Sequence, residues 1–449
     1  MKNLSVAAAA GGSGDRIDVA APLVATLIRR GGPSVLIFEN LAERTLAFAH
    51  LARRANPDAG YDPYLDMEVR PVLADCLKHG IPIVSNFGAA NPRGAAKHLL
   101  RMAAELNLPP PRIAIIEGDD LSSVEGRALV QEFQETDQES DQFISANVYL
   151  GALAIANALK EGAQIVVTGR VADPALVLGP ALAHFGWATD DWDKLAGATM
   201  AGHLLECGAQ VTGGYFADPG RKDVPDLDQV GYPIAEIAED GSCIITKTDN
   251  SGGVVNVRTV KEQLLYELHD PAAYLTPDVI ADVTQAQITQ IGPNAVRLSG
   301  VRGHKRPPTL KALVYFEGGW LGEGEISYAG PNAEARARLS MQIMKKRMGP
   351  LVELRFDLIG SVSIFGDDAG DMLGATEPGN ATDVRLRVAM RHPDIEEIER
   401  LHREITAIWI AGPAGGGGVR VAKRQRLSNV SCYIPREHIC ESFYFMDSE

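Results

Sequence analysis

The sequence predicts an α/β protein in which a mainly parallel, Rossmann-like sheet is followed by a strand-rich middle section and a small C-terminal α+β domain. Between residues 4 and 185, an apolar run, a polar loop and a helical pattern follow one another five times. Such units build parallel strands into one sheet through right-handed crossovers. Beyond residue 212 the pattern becomes rich in strands and turns, and helices return from residue 333. Because 449 residues exceed one ordinary core, we expect domains at residues 1–212, 213–330 and 331–449.

The composition of the chain argues against two classes of partner, nucleic acids and membranes. The formal net charge of −15 argues against a nucleic-acid partner, because binding of a phosphate backbone needs Lys and Arg concentrated on one face. No apolar run approaches the ~20 residues that span a bilayer, so we expect no membrane partner. The five cysteines are odd in number and widely spread, without CxxC or Cys/His zinc spacing. We therefore expect free thiols and a cytoplasmic location.

The first unit places a glycine-rich turn between a strand at residues 4–10 and a helix at residues 17–29. Glycine allows a backbone to approach a phosphate or carboxylate closely at a helix N-terminus. The turn is not a phosphate-binding P-loop, because no Gly-Lys-Ser/Thr follows it. It is either a ligand-binding loop or a tight connection from strand to helix. The candidate binding residues in it are Gly12, Ser13, Gly14, Asp15 and Arg16.

The second and third units end their strands in polar residues. Glu39 follows a strand at residues 34–38 and either acts in catalysis or interacts with the dipole of the next helix. Asn86 follows a strand at residues 81–85 and faces the predicted cleft. Asn91 precedes Pro92, so its role as the N-cap of a helix accounts for it fully, although it also remains a candidate ligand contact. Between these units, residues 68–79 are predicted to form a helix.

The fourth and fifth units carry the most charged loops. Asp119 and Asp120 follow a strand at residues 112–116, where they hold Mg²⁺ or a ribose, shift each other's pKa, or simply form a capped turn. A helix at residues 146–160 leads to the fifth strand. Arg170 and Asp173 then lie between that strand and a helix beginning near Pro174. Because parallel strands share one carboxyl edge, the five loops predict a common cleft.

A further cluster of reactive residues lies on a predicted helix at residues 199–208. His203, Glu206 and Cys207 are three and four positions apart, so they share one helix face. Together they are the ingredients of an activated thiol or of an acid–base pair. A soft metal would need further ligands, which the spacing does not show. The alternative is a buried Cys that packs as a small hydrophobe beside a hydrogen-bonded His.

The rest of the chain gives weaker functional signals. The basic loop at residues 300–308 either holds the phosphates of a nucleotide or of coenzyme A, or is a solvated surface loop. The glycine run at residues 415–418 either brings backbone amides to a ligand or connects two elements. Strands are predicted at residues 243–246, 312–315, 351–358 and 384–390, and helices at residues 259–267, 333–348 and 395–408.

Five motifs in the same order resemble the acyclic terpene utilisation protein family, AtuA. They are GGSGDR at 11–16, SNFGAANP at 85–92, GRVAD at 169–173, GHLLECGAQ at 202–210 and TVKEQL at 259–264. The resemblance spans most of the chain and implies a bacterial role in the catabolism of branched acyl-coenzyme A or carboxylic acid compounds. Some relatives carry a small additional C-terminal domain, fused or as a separate chain. The resemblance therefore also implies a small separate partner subunit.

The first of three hypotheses is an enzyme that hydrates, dehydrates or cleaves a branched acyl-coenzyme A thioester or carboxylate. This chemistry needs an acid–base pair and donors for a developing enolate oxygen. The residues expected to transfer protons are Asp173, His203 and Glu206, with Cys207 as a nucleophile. The groups expected to orient the carboxylate or phosphate are the backbone of Gly12 to Gly14 and the side chains of Arg16, Asn86 and Arg170.

Two other classes of function stay open. In the second hypothesis, a ligase- or kinase-like enzyme uses ATP and Mg²⁺, with Asp119 and Asp120 holding the metal and the glycine-rich turn holding the phosphates. In the third, the chain is a non-catalytic subunit that binds a carboxylate and delivers it to a partner. The three hypotheses differ in ligand: a thioester, a nucleotide with Mg²⁺, or a free acid. In each case we expect a homo-oligomer, because soluble enzymes are commonly symmetric assemblies.

Overall fold

The computed structural model describes residues 2–134, 142–350 and 352–446. These residues form two compact units. The described part of the first unit comprises residues 2–134, 144–315 and 430–446, and that of the second comprises residues 142–143, 316–350 and 352–429. The division into three domains at residues 212 and 330 stays a prediction.

Strands occur throughout the described parts of both units. They are β1 (Leu4–Gly11), β2 (Ser34–Glu39), β3 (Ile83–Ser85), β4 (Ile113–Glu117), β5 (Phe143–Val148), β6 (Ile165–Val167), β7 (Pro233–Ile237), β8 (Cys243–Lys247), β9 (Tyr274–Leu275), β10 (Ile280–Asp282), β11 (Gln287–Gly292), β12 (Ala295–Ser299), β13 (Arg302–His304), β14 (Thr309–Ala329), β15 (Arg355–Ile359), β16 (Asp383–His392), β17 (Gly417–Pro435) and β18 (Ser442–Phe445).

The helices lie between these strands and cover the sheets. They are α1 (Ala20–Arg30), α2 (Glu43–Ala55), α3 (Leu65–Val69), α4 (Leu73–His79), α5 (Pro92–Glu105), α6 (Val124–Phe133), α7 (Leu153–Lys160), α8 (Ala175–Phe185), α9 (Trp192–Leu205), α10 (Val257–Leu265), α11 (Ala333–Met348), α12 (Asp371–Ala375) and α13 (Ile395–Ala411). Within the described residues, none of these helices is both long and apolar enough to span a membrane.

The main sheet of the first unit is mixed, which corrects the prediction of a mainly parallel sheet. Its ten strands lie in the order β11-β12-β8-β7-β1-β2-β3-β6-β4-β18. The central strands β1, β2, β3, β6 and β4 are parallel, as the repeated units predict. On one side β7, β8, β12 and β11 add as antiparallel strands, and on the other side β18 pairs antiparallel with β4. These additions depend on pairing between distant segments, which local periodicity does not report.

The parallel core creates the crevice that the loop pattern predicts. Strand β6 lies between β3 and β4, so the strand order reverses beside β3. Ligands bind at such a switch point, outside the carboxyl ends of the strands. The two loops that leave β3 and β6 pass very close to each other, because a Cβ atom on Gly88 would collide with the Thr168 carbonyl. The glycine is therefore required for this close approach.

Small apolar side chains let helices pack tightly on the central strands. Ala7 to Ala10 of β1 are all fully buried. Ala7, Ala9 and Ala10 belong to a core cluster that includes Leu23 and Leu27 of α1 and Leu99 of α5. Helices α1 and α5 present their apolar side chains three and four positions apart to the sheet, as amphipathic helices do. This packing holds the loops at the carboxyl edge in place.

Two local predictions are wrong for physical reasons. Residues 68–79 form two short helices, α3 and α4, because Pro71 lacks the backbone N–H that a continuous helix needs. Residues 146–148 belong to strand β5, and the helix α7 begins only at Leu153. Strand β5 pairs with β14, more than a hundred residues further along the chain. That partner overrides the helical pattern of the segment.

The second unit contains an antiparallel sheet with helices on one face. Strands β15 and β14 flank β16. The apolar side chains of one face, such as Leu386 and Val388, pack in one cluster with residues of α11 and α13. Strand β17 is missing from the sequence prediction, since its glycine-rich start and polar composition resemble a connection. Residue 351, the predicted start of a strand, lies outside the described residues.

Candidate functional site

A cavity of about 670 Å³ opens in the first unit at the carboxyl ends of β2 and β6. Its size is within the usual range of small-molecule sites. Segments from distant parts of the chain supply its walls. The lining residues that bear on its chemistry are Arg44, Tyr149, Arg170, Asp173, Tyr274 and Lys311.

Arg170 organises the wall of this cavity. Its Nε donates to the Val171 carbonyl at 2.8 Å, its Nη1 donates to the Leu41 carbonyl at 2.6 Å, and its Nη2 pairs with Asp173. The guanidinium carbon lies 4.6 Å from the centre of the Tyr149 ring. The side chain is only 2% exposed. Each guanidinium nitrogen therefore already binds an acceptor of the protein itself.

Asp173 presents its carboxylate to the cavity. The side chain is 34% exposed, in contrast to its partner Arg170. Burial raises the pKa of Asp173 above its usual range, and this effect outweighs the opposing charge of Arg170. A carboxyl group with a raised pKa that faces a cavity is suited to general acid–base catalysis. Asp173 is therefore a candidate acid–base group.

His203 and Glu206 form a buried pair, as their spacing predicts. His203 lies in the last turn of α9, and its Nδ1 lies 2.8 Å from Glu206 Oε1. Burial acts to lower the pKa of His203, but Glu206 raises it overall, while burial raises the pKa of Glu206. Among the described residues, neither His203 Nε2 nor Glu206 Oε2 has a hydrogen-bond partner. The ring of Tyr274, which lines the cavity, lies 5.2 Å from the His203 ring between centres.

Cys207 has the environment of an unreactive thiol. Burial raises the pKa of its thiol to about 12, and the Glu206 carboxylate adds to the shift. Because the thiolate is the nucleophilic form, this shift disfavours covalent catalysis at neutral pH. The Cys207 backbone instead packs closely on β1, since a Cβ atom on Gly11 would collide with it.

The glycine-rich turn at residues 11–16 is held by Asp15. The Asp15 carboxylate accepts hydrogen bonds from Gly11 N at 2.9 Å, Arg16 N at 2.8 Å and the Tyr232 hydroxyl at 2.5 Å. Gly14 adopts φ of 85°, in the left-handed region that favours glycine. The Arg16 guanidinium pairs with Asp18, in the same loop. The tight connection therefore accounts for these contacts, and ligand binding by Gly12, Ser13 and Gly14 stays a prediction.

Glu39 and Asn86 meet at the carboxyl ends of β2 and β3. Asn86 Nδ2 donates to Glu39 Oε1 at 2.9 Å, and Asn86 Oδ1 accepts from Asn40 N at 2.8 Å. Burial raises the pKa of Glu39 to about 8, with Asp173 adding to the shift. Asn91 caps α5 as predicted, because its Oδ1 accepts from Gly94 N at 3.0 Å. The three residues thus position the strand ends and the helix.

Asp119 and Asp120 point to different partners. Asp119 Oδ2 accepts from Arg170 N at 2.7 Å and from Asn147 Nδ2 at 3.0 Å. The carboxylate of Asp120 lies 3.7 Å from Arg53. Within the described part of the chain, no group of three or more His, Cys, Asp or Glu residues is arranged to hold a metal ion. The geometry therefore indicates that Asp119 holds the Arg170 backbone in place through a hydrogen bond, rather than binding Mg²⁺.

Tyr149, Tyr274 and Lys311 are cavity residues that the sequence analysis misses. Lys311 Nζ lies 3.1 Å from Glu43 Oε1, and the Tyr149 hydroxyl donates to the same oxygen at 3.0 Å. Tyr149 N also donates to the Lys311 carbonyl at 2.9 Å, so the two residues are fixed beside each other. The available signal is a charged lysine within the otherwise apolar start of β14.

Comparison with known proteins identifies one family. The family model described as "Acyclic terpene utilisation family protein AtuA" matches residues 4–445. The match includes all five motifs on which the resemblance rests. No curated protein and no solved structure matches the chain.

Proposed function

The chain belongs to the acyclic terpene utilisation family, AtuA, and on this basis we propose that it is a cytoplasmic catabolic enzyme with acid–base chemistry of the lyase or hydratase type. The proposed substrate is a branched acyl-coenzyme A or carboxylic acid. The observation that carries the proposal is Asp173, a carboxyl group of raised pKa that faces a cavity at the switch point of the sheet. The proposed assembly is a homo-oligomer with a small separate subunit.

In this proposal Asp173 moves a proton at the carbon next to the substrate carbonyl. The negative charge that develops on the carbonyl oxygen needs a hydrogen-bond donor nearby. The Tyr274 hydroxyl is suited to this task, because it belongs to the cavity wall and has no hydrogen-bond partner among the described residues. Burial raises the pKa of Tyr274 well above its usual range, so the hydroxyl keeps its proton.

The His203–Glu206 pair supports this chemistry from a buried position. The pair holds a proton between Nδ1 and Oε1 and leaves Nε2 of His203 without a partner in the described chain. Its contact with Tyr274 links it to the cavity wall. The raised pKa of the Cys207 thiol favours proton transfer over attack by a thiolate.

The anionic end of the substrate needs a cation whose donors are free, which excludes Arg170. Lys311 fits, since its side chain is 40% exposed. Its ammonium group pairs with Glu43 and lies 5.1 Å from the centre of the Tyr149 ring. Arg44 lines the same cavity and is exposed. These two residues are therefore proposed to bind the carboxylate or phosphate, while Arg170 orients Asp173.

A thermal-shift titration tests the proposal with three ligand panels: acyl-coenzyme A thioesters, free branched acids, and ATP with Mg²⁺. A ligand at about 100 times its dissociation constant stabilises the fold by ~2.7 kcal/mol. We expect stabilisation by a thioester or an acid. Lys311→Ala should abolish it, and the control Lys160→Ala, at an exposed lysine on α7, should keep it.

Asp173→Asn separates binding from chemistry. The variant should keep the stabilisation by ligand and lose turnover, because the amide cannot transfer the proton. Stabilisation by ATP with Mg²⁺ alone would contradict the proposal and favour a ligase. Binding of a free acid with no turnover in the wild type, even with the other subunit present, would indicate a non-catalytic binding protein.

A further inference from the structure

The sheet of the second unit has one covered face and one open, charged face. On β16, Leu386, Val388 and Met390 belong to the cluster packed with α11 and α13. The alternate residues Arg385 and Arg387 lie on the opposite face, because successive side chains of a strand point to opposite sides. The open face therefore carries charged groups that the helices do not cover.

Ion pairs occupy the centre of this open face. Arg385 pairs with Glu325 at 3.3 Å. Arg387 pairs with Glu323 on β14 and with Asp357 on β15 at 2.5 Å. Arg355 pairs with Asp357 as well. The carboxylates along this part of the sheet are thus already matched by arginines.

Strand β17 contributes basic side chains that take no part in these ion pairs. Its odd-numbered residues face the helices, since Val419 packs on their apolar cluster and Lys423 pairs with Glu399 of α13. Its even-numbered residues face the open side, since a Cβ atom on Gly418 would lie 3.7 Å from the Ser327 hydroxyl, which accepts from Arg385.

The cations of β17 on the open side form a row. They are Arg420, Arg424 and Arg426. No described residue offers any of the three a hydrogen bond or an ion pair. This row of unused arginines lies in a chain whose formal net charge is −15. The local charge is therefore opposite to that of the whole protein.

A cavity of about 660 Å³ on this unit has Arg426, one of these three arginines, in its lining. Arg355, Arg387, Arg391 and Arg426 contribute to its lining, together with the acidic residues Glu353 and Asp368. Arg391 and Glu353 form only a loose pair at 3.4 Å, and both side chains are largely exposed. Arg355 and Arg387 are already paired with acidic side chains. The guanidinium groups available to a ligand in the cavity are therefore those of Arg426, which no described residue pairs with, and of the loosely paired Arg391.

We propose that this cavity binds a phosphate-bearing small molecule of about nucleotide size. The planar fork of arginine matches two phosphate oxygens at once, and the cavity volume is typical of a small-molecule site. Leu321 and Ala389 also contribute apolar surface to this lining, which suits the non-phosphate part of such a ligand. The proposal concerns the second unit alone and does not depend on the function proposed for the first.

Isothermal titration of the whole chain tests this site with pyrophosphate, ADP and free coenzyme A. We expect binding at low ionic strength that weakens as salt is added, because the partners are charged. Arg426→Ala and Arg391→Ala should each weaken it at least tenfold. Lys423→Ala removes the same charge from the helix-facing side of β17 and should leave it unchanged.

The pattern among ligands identifies the chemistry. Equal affinity for pyrophosphate and ADP would show that the site recognises only the phosphates. Tighter binding of ADP or coenzyme A would show that it also contacts the organic part of the ligand. The absence of binding to all three ligands at millimolar concentration would overturn the proposal, and so would an equal loss in Lys423→Ala. Lys311→Ala should bind these probes at the second unit as the wild type does, so this test and that of the first cavity fail independently.

Discussion

Arg170 and Arg426 both line cavities, but the protein uses them in opposite ways. Arg170 in the first unit is almost fully buried, and each of its guanidinium nitrogens binds an acceptor of the chain. Arg426 in the second unit is partly exposed, and no described residue pairs with it. A saturated guanidinium organises a site, whereas an unsaturated one is free to bind a ligand.

The energetic consequence follows from solvation. Removing one partner of a buried ion pair leaves the other charge without compensation in a medium of low dielectric constant. Removing an exposed charge changes little, because water already screens it. Substitution of Arg170 and substitution of Arg426 should therefore change the free energy of unfolding by very different amounts.

The largest expected effect is that of Arg170→Ala. The substitution leaves Asp173 without its ion pair and two backbone carbonyls without donors, so we expect a loss of ~3–5 kcal/mol in the free energy of unfolding. Arg170→Lys should recover only part of it, because an ammonium group cannot reproduce the planar fork. Urea denaturation measures both variants. A fully stable Arg170→Ala that only failed to bind substrate would break the comparison and restore the predicted contact of Arg170 with the ligand.

Buried carboxyl groups with and without an ion-pair partner should differ in how they make stability depend on pH. Glu68 is 1% exposed, and Asn40 Nδ2 donates to its Oε2 at 2.7 Å. Burial raises its pKa from 4.5 to about 7, and Asp62 and Asp15 add to the shift. Since the folded state binds the proton more tightly, the stabilisation is complete below pH 4.5 and is lost as the pH rises to about 7. In the second unit Asp357 is instead neutralised by two arginines.

Glu68→Gln should therefore gain stability relative to the wild type as the pH rises. Between pH 4 and pH 8 the difference in unfolding free energy should shift in favour of the variant by ~3 kcal/mol, the equivalent of the pKa shift. Denaturation curves at several pH values measure it. Glu353→Gln, at an 85% exposed side chain, is the control and should follow the wild-type curve. A parallel pH dependence of Glu68→Gln and wild type would refute the buried-charge explanation.

The smallest expected effect is that of Arg426→Ala on stability. The side chain has no described partner to lose, so the free energy of unfolding should change by less than ~0.5 kcal/mol. The same urea series measures it beside Arg170→Ala. A loss of several kcal/mol would show that Arg426 has a structural role, and it would weaken the case for a free anion-binding residue.

Much of the candidate site follows from local sequence patterns. A polar residue after each apolar run places Glu39, Asn86, Arg170 and Asp173 at one edge of the sheet, because the parallel strands share their direction. The three-residue spacing brings His203 to Glu206 on one helix face. The N-cap at Asn91 is also predictable from local sequence, because an Asn side chain before a helix accepts a hydrogen bond from a backbone N–H of the first turn.

Other features of the site depend on contacts between distant segments. Tyr149, Tyr274 and Lys311 reach one cavity from three separate parts of the chain. Whether an arginine is saturated also depends on which backbone carbonyls the fold brings to it, as Leu41 shows for Arg170. The sequence pattern treats Arg170 as a ligand-binding residue because it reports position along a strand and not the environment of the guanidinium.

The sequence by itself determined the α/β class, the parallel centre of the sheet, most helices and the family. These properties arise from short-range rules: the periods of strands and helices, capping, and turn-forming residues. The tertiary structure alone decided that antiparallel strands extend the sheet on both sides and that β17 is a strand. It also decided which charges are buried in pairs and which remain free. Those outcomes depend on desolvation and on long-range pairing, which act only once the chain has folded.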